Sequence, residues 1–189
     1  RLLAGRRIVV GANGVTSLMY EGVPTHPGPD RFWDIIERHR VSVFYTAPTA
    51  IRTFVRMGNE QPNKHDLSSL RVIQSGGQRM QPEARLRTGE LIPNATVQEN
   101  FGMSEGMLFF VRLDDPEDVR LETCGRPLSP DDEVRLVDDE GREVAPGEVG
   151  ELTCRGPYTL RGYYGVPEYN ARQFTPEGFY RSGDLMRRH

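Results

Sequence analysis

Apolar residues recur along this chain in two rhythms, and the change from one to the other divides it. In DRFWDIIERHR (30–40), Phe32, Ile35, Ile36 and His39 fall on one face of a helical period, with Asp30 in the N-cap position. This spacing predicts a helix with a single buried stripe. VSVFY (41–45) follows directly as a short, β-rich strand, and TAPT leads into AIRTFVRMG, where Ile51, Phe54 and Val55 return to helical spacing until Gly58. After the polar connector NEQPNKHDLSSL, RVIQSGG reads as a strand running into a double-glycine turn. QPEARLRTGELI then reads as a helix with Pro82 near its first position, and ATVQENFG as extended chain. Strands alternating with helices predict a parallel sheet, whose ligand sites gather where strand C-termini meet loops. The segments SGG (75–77) and FGMSEG (101–106) both fall at such places.

From about Pro116 the period becomes two. DEVRLVDDEGREVAPGEVGELTCRG alternates apolar with polar residues and is broken by DEG and PGEVG turns, as antiparallel hairpins are. PEYNARQF (167–174) reads as one short helix, and TPEG turns the chain into FYRSGDL. The expected architecture is α/β: a parallel-sheet subdomain over residues 1–115, then a β-rich, barrel-like subdomain over 116–189.

Composition changes the picture only at its edges. The 189 residues, 37% hydrophobic and 27% charged, suffice for one core or two small ones. A net charge of −3 without a basic stripe excludes a nucleic-acid binder. No apolar run approaches the roughly 18 residues of a membrane-spanning helix, and no signal peptide is visible, so a cytoplasmic protein is expected. Cys124 and Cys154 lack metal or redox spacing and read as small packing residues. Because the chain starts at Arg1 rather than Met and stops inside the patterned SGDLMRRH, it reads as a piece of a longer protein.

The candidate chemistry centres on Ser104 and Glu105, set between Gly102 and Gly106 just ahead of the apolar run Met107–Val111. Desolvating an unpaired carboxylate against a core is costly, so Glu105 needs a partner. Singly, the other polar signals are ordinary: Gly76–Gly77 fits a tight turn, and Asp184 after Gly183 fits a turn residue. Their order is not ordinary. SGG after a strand, then FGMSEG, then GEVGELTCRGPYTLRGYYG, then GFYRSGDL resembles the middle motif series of the adenylate-forming ligases. That superfamily includes acyl-CoA synthetases, aryl-acid ligases and peptide-synthetase adenylation domains, and the similarity covers nearly the whole chain.

The resemblance implies ATP and Mg²⁺ as cofactors, and a reaction in which a carboxylate attacks the α-phosphate to give an acyl-adenylate that a thiol intercepts. It places Glu105 on the magnesium ion and Ser104 on the α-phosphate. Phe101 would lie against the adenine, Gly76, Gly77 and Gln78 along the purine, Glu99 and Asn100 nearby, and Asp184 on the ribose hydroxyls. Gly102, Met103 and Leu108 would line the acid pocket with Asn100, and Tyr45, Thr46 and Ala47 would approach the acid from the other side. RGPYTLRGYYG receives no catalytic role, since its aromatics and glycines read equally as hairpin packing.

Two resemblances compete over the acid. The stretch from LMYEGVP through HDLSSL is similar to acetyl-CoA synthetase. From RVIQSGG onward the chain is similar to ligases that load salicylate or 2,3-dihydroxybenzoate for siderophore assembly. The change near Leu70 fits an engineered join, a natural mosaic or simple divergence. Acetyl-CoA synthetases carry a pocket-closing Trp at the position of Gly102, whereas the single Trp here, Trp33, lies on the first helix. An open position 102 favours a small aryl acid, with a carrier-protein phosphopantetheine or CoA as the thiol. An acetyl- or acyl-CoA synthetase and a non-catalytic module are the alternatives. The superfamily's phosphate loop would lie before Arg1 and its catalytic lysine after His189, so the chain alone is expected to be nearly inactive.

Overall fold

The computed structural model describes residues 8–10 and 14–189. Strands β1 (Ile8–Val10) and β2 (Val15–Ser17) form an antiparallel pair. Helix α1 (Arg31–His39) ends where Arg40 adopts a left-handed conformation (φ 49°), its N–H and that of Val41 closing on the carbonyls of Glu37 and Ile36. The buried stripe is Trp33, Ile35 and Ile36, with Phe32 half-buried. His39, expected on that stripe, is exposed because the last turn of α1 faces solvent. Trp33 instead packs edge-on against Phe54, their ring centroids 5.1 Å apart.

Strand β3 (Val43–Thr46), helix α2 (Pro48–Met57), strand β4 (Val72–Ser75), helix α3 (Pro82–Leu91) and strand β5 (Thr96–Met103) follow in the expected order. Proline near the first position starts both helices, where its missing N–H is no loss. The three strands are parallel, and the register brings Thr46, Ser75 and Glu99 level at their C-terminal ends. Ala47, Gly76 and Asn100 therefore leave the ladder side by side. Beneath them Trp33, Ile36, Ile51, Phe54, Leu70 and Ile73 belong to one buried cluster.

The sheet does not end with its parallel half. Strand β5 turns back at residues 104–106 into antiparallel β6 (Met107–Phe110), and after helix α4 (Glu117–Glu122) strand β7 (Arg126–Pro127) adds to β6. The result is a mixed five-stranded sheet in the order β3-β4-β5-β6-β7. Since β7 pairs Arg126 with Phe110, the change of sheet falls after Pro127 and not at residue 116. The acidic stretch after Pro116 is a helix tied back to α3, where Arg85 donates to the carbonyl of Thr123.

Strands β8 (Glu133–Val137), β9 (Val149–Arg155) and β10 (Tyr180–Arg187) form a separate antiparallel sheet in the order β10-β9-β8, with helix α5 (Pro167–Gln173) just ahead of β10. Among the described residues these strands remain an open three-stranded sheet. Met107 and Phe109 of β6 share a second core with Leu136, Leu152, Cys154 and Tyr180, so β6 joins the two sheets. Burial, with Asp132 and Glu105 nearby, pushes the Cys154 thiol up to about 11, in keeping with an inert packing role. No described helix is long and apolar enough to cross a membrane.

Candidate active site

The glycine turn after β4 is shaped from both sides. Gly77 sits at φ 89°, a conformation that favours glycine, and any side chain at Gly76 would collide with the Asn100 side chain lying over it. Gln78 is exposed and accepts from Arg52 at 3.4 Å. Behind the turn, Glu99 is only 4% exposed and forms an ion pair with Arg85. It also accepts the Met80 N–H at 3.2 Å, while Arg85 Nε donates to the Met80 carbonyl at 3.1 Å. Both backbone groups of Met80 are thus satisfied by one buried pair. Burial pushes the Glu99 carboxyl up and the Arg85 guanidinium down, each shift opposed by the partner's charge. Glu99, placed by the resemblance near the purine, is buried here as an internal anchor of the turn. A buried guanidinium needs a matched anion, and Glu99 supplies it.

Along β5 the side chains alternate in role. Phe101 and Met103 pack against the second core, and Phe101 meets Phe109 edge-on at 5.8 Å. Met103 thus faces core rather than the acid pocket expected for it. Gly102 and Leu108 stand opposite each other across the β5–β6 ladder, and a side chain at 102 would collide with the end of Leu108. The space released by the missing side chain is occupied by a flexible Leu tip, a movable wall rather than a ready void. At the far edge of the parallel strands Tyr45 is 62% exposed and Ala47 is exposed, with Thr46 between them half-buried.

The turn between β5 and β6 carries the two reactive candidates. Ser104 is exposed, and Glu105 is half-buried. Glu105 Oε1 accepts the Tyr163 hydroxyl at 2.8 Å, and its backbone carbonyl accepts the Leu160 N–H at 2.8 Å. Gly106, at φ 101°, presses so closely on the Tyr158 carbonyl that no Cβ could fit, and its own carbonyl accepts from Thr159 Oγ1 at 2.8 Å. The carboxyl is not loose in solvent, and among the described residues its one side-chain partner is an uncharged hydroxyl. The Tyr163 hydroxyl is the O–H donor to this carboxylate. The segment 158–163 is the part of the site that the sequence reading left unassigned.

Asp184 lies on a bulge of β10, where the register with β9 jumps between Arg181 and Leu185. Gly183 (φ 76°) makes the bulge; Glu151 accepts its N–H at 3.2 Å and pairs with Arg181 at 2.7 Å. Such irregularities re-aim a side chain, and the Asp184 carboxylate is exposed without a donor among the described residues. Ser182 donates to the Leu152 carbonyl at 2.9 Å and accepts the Asp184 N–H at 3.0 Å, which fixes the backbone beneath it.

A glycine turn at aligned strand ends, a carboxylate held by a neutral donor and an exposed acid on a bulge are what the described residues offer for chemistry. The model of the AMP-binding enzyme family matches residues 8–164, and this chain belongs to that adenylate-forming family. It is 44% identical, over 99% of its length, to the 2-hydroxy-7-methoxy-5-methyl-1-naphthoate–CoA ligase of Streptomyces carzinostaticus, covering 31% of that protein. It is 43% identical over 92% of its length to the 2,3-dihydroxybenzoate-AMP ligase of Bacillus subtilis, covering 32% of it. Among solved structures, apo MbtA of Mycobacterium smegmatis superposes with a TM-score of 0.75 at 39% identity, over 85% of this chain and 28% of that one. The chain thus spans about a third of the length of the relatives it matches. Because the alignment with the Streptomyces relative runs through 99% of the chain, it crosses Leu70 without a change of family.

Proposed function

We propose that this chain forms the central part of an ATP-dependent aryl-acid AMP ligase that activates salicylate or 2,3-dihydroxybenzoate in siderophore biosynthesis. In this reading it works in the cytoplasm and delivers the acyl group to a carrier-protein phosphopantetheine or CoA thiol. The observation that carries the reading is Glu105: a half-buried carboxylate with one oxygen held by Tyr163 and no cationic partner in the ion pairs of the described residues.

Mg²⁺ fits such a group. It is typically held by one or two carboxylates with phosphate oxygens and water completing its shell. Among the described residues no cluster of three or more His, Cys, Asp or Glu offers a metal an all-protein cage. Glu105 would hold the ion together with the nucleotide, and the ion would offset the repulsion between the acid and the phosphates. The residues of the chain then have separate tasks. The Asp184 carboxylate accepts from the ribose hydroxyls, and Gly76, Gly77 and Gln78 present backbone to the purine, which the exposed part of Phe101 flanks. Asn100, Gly102 and Leu108 share the side of β5–β6 away from the second core and line the acid. The acid's carboxylate oxygen attacks the α-phosphorus, the bond to the bridging oxygen breaks, and pyrophosphate leaves. Ser104 donates to the α-phosphate, where charge builds up.

Pyrophosphate exchange by the complete protein, measured with salicylate, 2,3-dihydroxybenzoate, benzoate and acetate, tests this reading. Exchange with a hydroxylated aryl acid at least about 100-fold above acetate is expected, since a pocket for a ring leaves acetate few contacts. Preference for acetate would establish the acetyl-CoA synthetase alternative, and no exchange with any acid would remove the ligase reading.

A further inference from the structure

The carboxylate that would hold the metal is itself held, and the holder lies in the connection between β9 and α5. Tyr163 lies 58 residues from Glu105 in sequence, yet its hydroxyl reaches Oε1 at 2.8 Å. A tyrosine has one hydroxyl proton, and here it is committed to the carboxylate. The Tyr180 hydroxyl, 3.3 Å from that of Tyr163, is therefore the donor in the contact between them. The hydrogen-bond chain runs from Tyr180 through Tyr163 to Glu105, which accepts at its end.

Tyr163 is fixed along its whole length. Asn170 of α5 clasps its backbone with two hydrogen bonds of 2.8 Å, one accepted from the Tyr163 N–H and one donated to its carbonyl. The ring packs edge-on against Tyr169 at 5.4 Å and Phe174 at 6.4 Å. Tyr180, 7% exposed, opens β10, the strand whose bulge carries Asp184. The same segment grips the Glu105 turn by its backbone through Leu160 and Thr159. A carboxylate on a glycine-flanked turn otherwise rotates freely between its oxygens. With Oε1 holding the Tyr163 hydroxyl, Oε2 is the oxygen left without a hydrogen bond among the described residues.

Resting on the reading above, we propose that Tyr163 is a positioning residue for Glu105, backed by Tyr180 and set by Asn170. It holds one carboxylate oxygen so that the other meets the metal of a magnesium–nucleotide complex. It also ties the metal carboxylate on the first sheet to the strand that carries the ribose acid on the second. Partners of this kind around a metal ligand are worth about 10–100-fold in metal affinity when removed.

The test is equilibrium binding of a non-hydrolysable ATP analogue to the complete protein, with Mg²⁺ and with a chelator, in the parent and in Tyr163→Phe. The parent is expected to bind more tightly with metal. Tyr163→Phe is expected to lose about tenfold of that metal-dependent gain and to keep its metal-free affinity, because the ring packing is unchanged. Retention of the full gain would overturn the proposal. So would equal loss with and without metal, which marks a purely structural role. Should Tyr163→Phe fail to fold, Tyr180→Phe carries the comparison: a smaller loss confined to the metal-dependent part supports the proposal, and no loss overturns it. A parent that binds the analogue only weakly, with no effect of metal, removes the ligase reading itself and the role of Tyr163 with it.

Discussion

Glu99 and Glu105 stand on the same strand and its turn, and the protein treats them in opposite ways. Glu99 is shut in beside Arg85 and the Met80 N–H, its charge already answered. Glu105 is half-exposed, steered by a neutral hydroxyl, its charge left for something else to answer. A carboxylate matched by a guanidinium in the interior is a structural fastener; the cost of desolvation forbids leaving it open to a metal. A carboxylate fixed by a phenol at the meeting of two sheets keeps its affinity for a cation. The first fastens the glycine turn from behind, and the second is the one proposed to meet the metal.

The comparison breaks most visibly at Arg85. Arg85→Met leaves Glu99 buried without its cation, and a loss of about 3–5 kcal/mol is expected in chemical denaturation. Arg85→Met combined with Glu99→Leu should recover only part of that loss, since the apolar pair removes the unmatched charge but leaves the Met80 N–H and carbonyl without these partners. A double variant as unstable as the single one would show that the pair is not the fastener. Next in size is position 102. Gly102→Trp displaces the tip of Leu108 and fills the face proposed for the acid; salicylate exchange should fall by about 10–200-fold relative to acetate. An unchanged ratio would place the acid elsewhere.

The smallest effect concerns a third carboxylate, exposed on α1. The Asp66 N–H, at 3.1 Å, and the His65 ring hold the Glu37 carboxyl below its usual range. A depressed carboxyl contributes stability above its unfolded value, and that contribution disappears as pH falls through the folded value. Below about pH 4, the usual glutamate range, Glu37→Gln should therefore lose less melting temperature on acidification than the parent. A parallel decline in both proteins would sever this link.

Much of this was legible in the residues. Period and punctuation gave the order of strands and helices, because Pro48, Pro82, Gly58 and the 75–77 turn act locally. The helical stripe of α1 was read one residue off, since His39 fits the period but its turn faces water and Trp33 took the buried place. The extension of the first sheet to Pro127 was not legible, because a two-residue strand has no period. For the site, the turn glycines and the exposure of Asp184 follow from its local spacing. The fate of Glu99 does not, as nothing in sequence pairs it with Arg85, 14 residues away. Tyr163 was missed for the same reason over a longer span; the only sign was an unexplained cluster of tyrosines and glycines in RGPYTLRGYYG.

The contrast between the two carboxylates reduces to whether Glu105 answers a metal. Titration of the complete protein and its Glu105→Gln variant with an ATP analogue, with Mg²⁺ and with a chelator, measures this directly. Glu105→Gln should lose the whole metal-dependent gain in affinity while its melting temperature and metal-free binding stay as in the parent. A Glu105→Gln protein that still binds the magnesium complex more tightly than the free nucleotide, by the parent's margin, would contradict the role given to this carboxylate.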